Sequence, residues 1–234
     1  GSDIPEHLVY RSNEIIVSEA AYQIGVSPKL IYNEPGVLVL EFIESKTLEP
    51  KTVRENLYKI VPIIRKIHDE IPNKLSGQPQ IFWVFYVIKY YSNFLLKNNS
   101  SHISLIPSLL KKAEKLEKLS SPREIVFGHN DLLAANFLDD GSKIWVVDWE
   151  YGGFNDPLFD IGGLSSNNDL DENLEKEVLQ MYFKERPSKD LIIKYNAMKT
   201  ASLLRETMWS MVSEITSKIE FNYAEYTSDN LKKF

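Results

Sequence analysis

The chain has 234 residues, 43% of them apolar and 26% charged, a balance that suits one large folded domain or two small ones. Its net charge of −6 excludes the basic footprint of a protein that binds nucleic acid or anionic membrane. It contains no cysteine, which removes disulfides, thiolate metal sites and a thiol nucleophile and fits a reducing compartment, so a cytoplasmic location is expected. No apolar run approaches the roughly 18 residues needed to span a bilayer, and the start, Gly1-Ser2-Asp3-Ile4-Pro5-Glu6, lacks a basic region followed by an apolar stretch. Neither export nor membrane insertion is expected.

In chain order, Asn13 to Gly25 reads as a helix, with Ile15, Ile16, Ala20 and Ile24 at roughly helical spacing and Gly25 placed to stop it. Val37 to Ile43 reads as a buried strand. From Thr52 to Ile71 apolar positions recur at three and four, one face of a single helix. Ile81 to Leu96 is apolar on most sides and predicts a buried helix, and Ile106 to Leu119 another. The short β-rich runs Glu124 to Phe127 and Lys143 to Val147, with a turn at Asp139-Asp140-Gly141-Ser142, predict a β-hairpin. Helical patterns follow from Asp171 to Glu185, from Lys189 to about Ile215 and from about Tyr223 to Leu231. This order predicts an α+β fold of two lobes, with residues 1–45 in a small lobe and hinge and residues 46–234 in a large, mainly helical lobe around the hairpin.

The chemistry concentrates in His129-Asn130-Asp131-Leu132-Leu133-Ala134-Ala135-Asn136, followed after the turn by Asp148-Trp149-Glu150. A hydroxyl attacking a phosphoryl group needs a carboxylate to accept its proton, and a nucleotide needs Mg²⁺ held by hard oxygen ligands. Asp131 suits the first task; Asn136 and Asp148 suit the second. Any one of these residues alone is an ordinary turn residue; the joint pattern is not. It resembles the H-x-D-x-x-x-x-N and following D of protein kinases and aminoglycoside phosphotransferases, on the phosphotransferase branch because Trp149-Glu150 follows the second aspartate. The resemblance implies a protein-kinase-like fold and a catalytic set of Asp131, His129 and Asn136, with His129 bracing the loop. It also implies ATP and Mg²⁺, the metal on Asn136 and Asp148. Tyr151 to Gly162 looks like the segment after the metal aspartate, in which Asp160 braces the catalytic loop. Arg11-Ser-Asn-Glu14 looks like the helix whose glutamate pairs with the ATP-binding lysine, and Glu41-Phe42-Ile43 looks like the hinge that receives adenine.

The stretch from Arg205 to Tyr226 resembles the C-terminal segment of choline and ethanolamine kinases. By that resemblance Trp209, Tyr223 and Tyr226 cage the acceptor's ammonium, Glu150 and Glu220 supply negative charge, and Tyr151 adds a further aromatic face; a quaternary ammonium is held in this way. The implied reaction transfers the γ-phosphate of ATP to the hydroxyl of choline or ethanolamine. The alternatives are another small hydroxylated acceptor, such as an aminoglycoside, and a choline-binding protein without catalysis. Two positions depart from the pattern. Glu206 stands where many eukaryotic members have a second tryptophan, and Gly163 to Asn168 is polar where aromatics are frequent, so the likeness is to bacterial choline kinases. A primary ammonium would also suit a carboxylate-rich pocket. The family's glycine-rich loop and ATP-binding lysine belong before Glu14, where only thirteen residues stand and neither pattern occurs.

Overall fold

The computed structural model describes residues 1–122 and 124–234. A 3₁₀ turn at Pro5–His7 leads into helix α1 (Arg11–Gln23), whose buried Val17, Ala20 and Ala21 face the core. Strands β1 (Leu30–Glu34) and β2 (Val37–Leu40) form an antiparallel pair, and β3 (Lys46–Thr47) follows. Helices α2 (Pro50–Glu55) and α3 (Leu57–Glu70), strand β4 (Gln80–Ile81) and helices α4 (Val84–Lys97) and α5 (Ile106–Leu119) come next. Four short strands then carry the centre of the molecule: β5 (Val126–Gly128), β6 (Phe137–Asp139), β7 (Ile144–Val146) and β8 (Gly153–Asn155). Helices α6 (Pro157–Asn167), α7 (Glu172–Phe183), α8 (Lys189–Thr216) and α9 (Tyr223–Lys233) complete the chain.

Helix α8 is the axis of the helical part: α4, α5, α6 and α9 all pack against it. Its start is capped by Ser188, whose hydroxyl accepts from the Leu191 amide, and Asp171 caps α7 in the same way. The approach of α6 to α8 depends on Gly162, because a Cβ there would stand 2.7 Å from the Lys199 Cα. One buried apolar cluster runs from Val9 and Val17 through α3, α4 and the central strands to Met211 and Val212. Among the described residues, no helix is long and apolar enough to cross a membrane.

Several sequence expectations need correction. Val37 to Leu40 is a strand but not a buried one: Val37 and Val39 are exposed, because in a two-stranded sheet β2 pairs only with β1. Glu41 to Ile43 lies outside the strand. The helix expected over Thr52–Ile71 is two helices. The Asn56 side-chain amide donates to the Thr52 carbonyl at 2.9 Å, and its backbone N–H turns to Val53, so α2 ends there.

The hairpin also differs. The Asp139–Ser142 turn joins β6 to β7, held by the Asp140 carboxylate, which accepts from the amides of Ser142 and Lys143 and from the Trp145 indole N–H. Strand β5, expected to pair with the Lys143–Val147 run, belongs instead to a second sheet of order β4-β8-β5, in which Phe127 lies opposite Phe154 with their rings 5.3 Å apart. The loop of residues 129–133 and the short 3₁₀ turn after it separate β5 from β6. A hairpin turn cannot span that gap.

Candidate active site

The loop after β5 is held by one carboxylate. Asp160, in the first turn of α6, is 2% exposed. Its Oδ2 accepts from the His129 amide at 2.8 Å and its Oδ1 from the Asn130 amide at 2.7 Å, and His68 of α3 lies 2.9 Å away through Nε2. Burial pushes this carboxyl up, but His68 and His129 outweigh it and hold the group below the usual carboxylate range. The close approach needs Gly128: a Cβ there would lie 3.0 Å from both Asp160 Oδ2 and Asn130 Oδ1. Asn130 takes a left-handed φ of 66°, a conformation asparagine tolerates. Its side-chain amide donates to the carbonyls of Tyr151 and Gly153, so the loop is tied to the segment after Glu150.

His129 is fully buried. Its Nδ1 accepts from the Asp131 amide at 3.2 Å and its Nε2 reaches the Val147 carbonyl at 3.0 Å, which fixes the tautomer with the proton on Nε2. Burial lowers its pKa, and its ring packs on Trp149 at 4.7 Å. The ring therefore joins the Asp131 loop to the chain leading into Asp148. Asn136 completes the join: its Nδ2 donates to the Asp131 carbonyl at 2.8 Å, and its own carbonyl accepts from the Val147 amide at 3.0 Å. With Nδ2 so used, the amide oxygen of Asn136 remains the group available as a ligand. Asp148 next to it is exposed, with a left-handed φ of 66°.

Asp131 itself is 14% exposed in its side chain, with Arg205 Nη1 3.5 Å from Oδ1. Its pKa is pushed up to about 7. Burial is the main cause; Arg205 opposes it, and the charges of Glu206, Asp148 and Glu150 add to it. Arg205 is a residue that sequence reasoning did not single out. It is buried on α8, 2.7 Å from Glu206 and 3.4 Å from the Asn130 carbonyl, and its guanidinium lies over the Tyr151 ring at 4.5 Å.

The expected acceptor residues come together in part. Trp209 Nε1 donates to the Tyr151 hydroxyl at 3.1 Å, and the Trp209 ring meets Tyr223 edge-on at 6.0 Å. Tyr226 donates to Glu206 at 3.0 Å, and Phe221, not singled out from the sequence, packs on both Tyr223 and Tyr226. Glu220 is exposed in the turn before α9. Glu150 turns the other way, to Arg11 at 3.0 Å, and the same Arg11 nitrogen holds Glu14 at 2.7 Å. Glu14 thus has a cation from its own helix. Glu41 and Phe42 are exposed beyond β2, Phe42 at 88%, with Ile43 half-buried beside them.

Mg²⁺ takes oxygen ligands and commonly only one or two from protein, with water and phosphates completing the set. The amide oxygen of Asn136 and the carboxylate of Asp148 fit that chemistry. Among the described residues no cluster of three or more His, Asp or Glu side chains could hold a metal without such help.

Residues 2–167 match the sequence profile of choline/ethanolamine kinases. A probable ethanolamine kinase of Arabidopsis thaliana is 29% identical over 254 residues, covering 94% of this chain and 66% of its own length. The chain therefore spans just under two thirds of that relative. A choline/ethanolamine kinase family protein of Mesorhizobium loti superposes with a TM-score of 0.82 at 25% identity, covering 95% of this chain and 78% of that one. The wild-type aminoglycoside 2′-phosphotransferase-IIIa shares the fold alone, with a TM-score of 0.67 at 12% identity over 95% of this chain and 81% of that one. The protein-kinase-like core and the matched profile agree: the chain belongs to the choline/ethanolamine kinase family.

Proposed function

We propose that the protein transfers the γ-phosphate of ATP to the hydroxyl of a small amino alcohol, choline or ethanolamine, with Asp131 as the base. The observation that supports this reading is the setting of Asp131: a largely buried carboxylate whose pKa is pushed up to about 7, tied through Asn136 to the chain leading into Asp148 and through Arg205 to Tyr151 and Glu206, which in turn bond Trp209 and Tyr226. Asp131 takes the hydroxyl proton as the new O–P bond forms and the bond to ADP breaks. Asn136 and Asp148 would hold Mg²⁺, which neutralises phosphate charge when bound. His129, Asn130 and Asp160 keep the loop in place. Residues 1–45 would supply the adenine-side surface, with Glu41 to Ile43 as hinge and Glu14 at the end of the Arg11–Glu150 ion pair; residues 46–234 would carry the acceptor.

The test is ADP formation by the full-length protein with Mg-ATP and ethanolamine or choline. Asp131→Ala is expected to lower kcat by about 10²–10⁴-fold, the contribution of a positioned base. Undiminished turnover in that variant would assign the proton to another group.

A further inference from the structure

Glu206 is an acidic side chain beside Asp131 to which the proposed reaction assigns no role. Its Oε2 lies 2.7 Å from Arg205 Nη1, and Asp131 Oδ1 lies 3.5 Å from that same nitrogen. The two carboxylate oxygens are therefore no further apart than the sum of those distances, 6.2 Å. Glu206 is 14% exposed in its side chain, and its other oxygen accepts from the Tyr226 hydroxyl at 3.0 Å. An ionised carboxylate offers about four acceptor sites, and these two contacts leave it able to accept more.

The aromatic faces of the same pocket are already engaged. The Tyr151 ring carries the Arg205 guanidinium at 4.5 Å, and Trp209 packs against His7 at 5.3 Å and Tyr223 at 6.0 Å. A quaternary ammonium is recognised chiefly through open aromatic faces and donates no hydrogen bond. A protonated primary amine donates three, and charge-assisted bonds to carboxylate are among the strong ones.

We propose that Glu206 is a specificity-determining residue that accepts hydrogen bonds from the acceptor's ammonium, so that the pocket selects an amino alcohol with N–H donors over its N-methylated forms. This rests on reading the site as an amino-alcohol phosphotransferase. In a two-carbon amino alcohol the hydroxyl and ammonium are about 3–4 Å apart from ordinary bond lengths. With hydrogen bonds of about 2.7–2.9 Å at each end, such a molecule reaches Asp131 with one end and Glu206 with the other. A site built to bond an N–H rejects an analogue lacking it far more strongly than an apolar pocket rejects an extra methyl.

The experiment measures kcat/KM of the full-length protein for ethanolamine, its N-methyl and N,N-dimethyl forms, and choline, in the wild type and in Glu206→Gln. The expected wild-type result is a fall at each methylation, at least 100-fold across the series. In Glu206→Gln the ratio of ethanolamine to choline is expected to drop at least tenfold, whereas a side chain serving only to neutralise Arg205 would lower both rates together. The wild-type series needs no variant to fold. Turnover that is equal for all four amines, or a ratio unchanged in Glu206→Gln, overturns the role of Glu206 and leaves the phosphotransferase reading intact. ADP formation with none of the four overturns both.

Discussion

Replacing Asp160 by Asn tests the account of how the Asp131 loop is held. The substitution conserves volume but removes the charge and one of the two acceptor oxygens. At present Oδ1 and Oδ2 accept from two buried backbone amides and Oδ2 also faces His68. In the variant one amide meets an NH₂ group, so a buried donor is orphaned, at about 1–3 kcal/mol, and the remaining bonds lose their charge assistance. Hydrogen bonds to a charged group are worth about 1.5–3 kcal/mol each, so with the orphaned donor a total loss of about 3–5 kcal/mol is expected, a large share of the roughly 5–15 kcal/mol that stabilises a typical domain. With a urea m-value near 3 kcal/mol/M, the upper end for small proteins, the unfolding midpoint should fall by about 1–1.7 M. Amide exchange at His129 and Asn130 should accelerate with it, since those are the donors released. A midpoint within about 0.3 M of wild type, or a lowered midpoint with exchange at these two amides unchanged, would refute the view that Asp160 holds the loop.

Two further outcomes follow from the packing. His7 is buried against Tyr91 and Trp209, and burial, with a smaller contribution from Arg205, lowers its pKa to about 4. The unfolded chain therefore binds a proton near pH 6.5 that the fold refuses, so stability is full above pH 6.5 and falls by up to about 3 kcal/mol as pH drops to 4; denaturant titrations at pH 7 and 4.5 should show this slope in the wild type and a shallower one in His7→Gln. Gly162→Ala should cost about 1–3 kcal/mol by overpacking, because its Cβ would meet the Lys199 backbone at 2.7 Å; an unchanged thermal midpoint would mean that α6 and α8 separate freely.

The sequence by itself determined the family resemblance and most of the helices. Sequence patterning located α5, α7, α8 and α9 to within a few residues, α5 and α7 because each buries an apolar stripe, and α7 and α8 because each starts at a local cap, Asp171 and Ser188. The pattern of Asp131, Asn136 and Asp148 was legible as a resemblance because it lies within one short stretch of chain. Tertiary structure decided what depends on partners far away in sequence. Strand β5 took β8 rather than β7 as its neighbour, a choice made by sheet packing that three-residue strands do not encode. Helix α6 was not assigned from the sequence: its glycine-containing stretch offers little apolar periodicity, yet Gly162 is what allows it to lie against α8. Arg205, His68 and Arg11 gave no local signal, since the role of each comes from a carboxylate the fold brings to it, and those lie 74, 92 and 139 residues away in Asp131, Asp160 and Glu150.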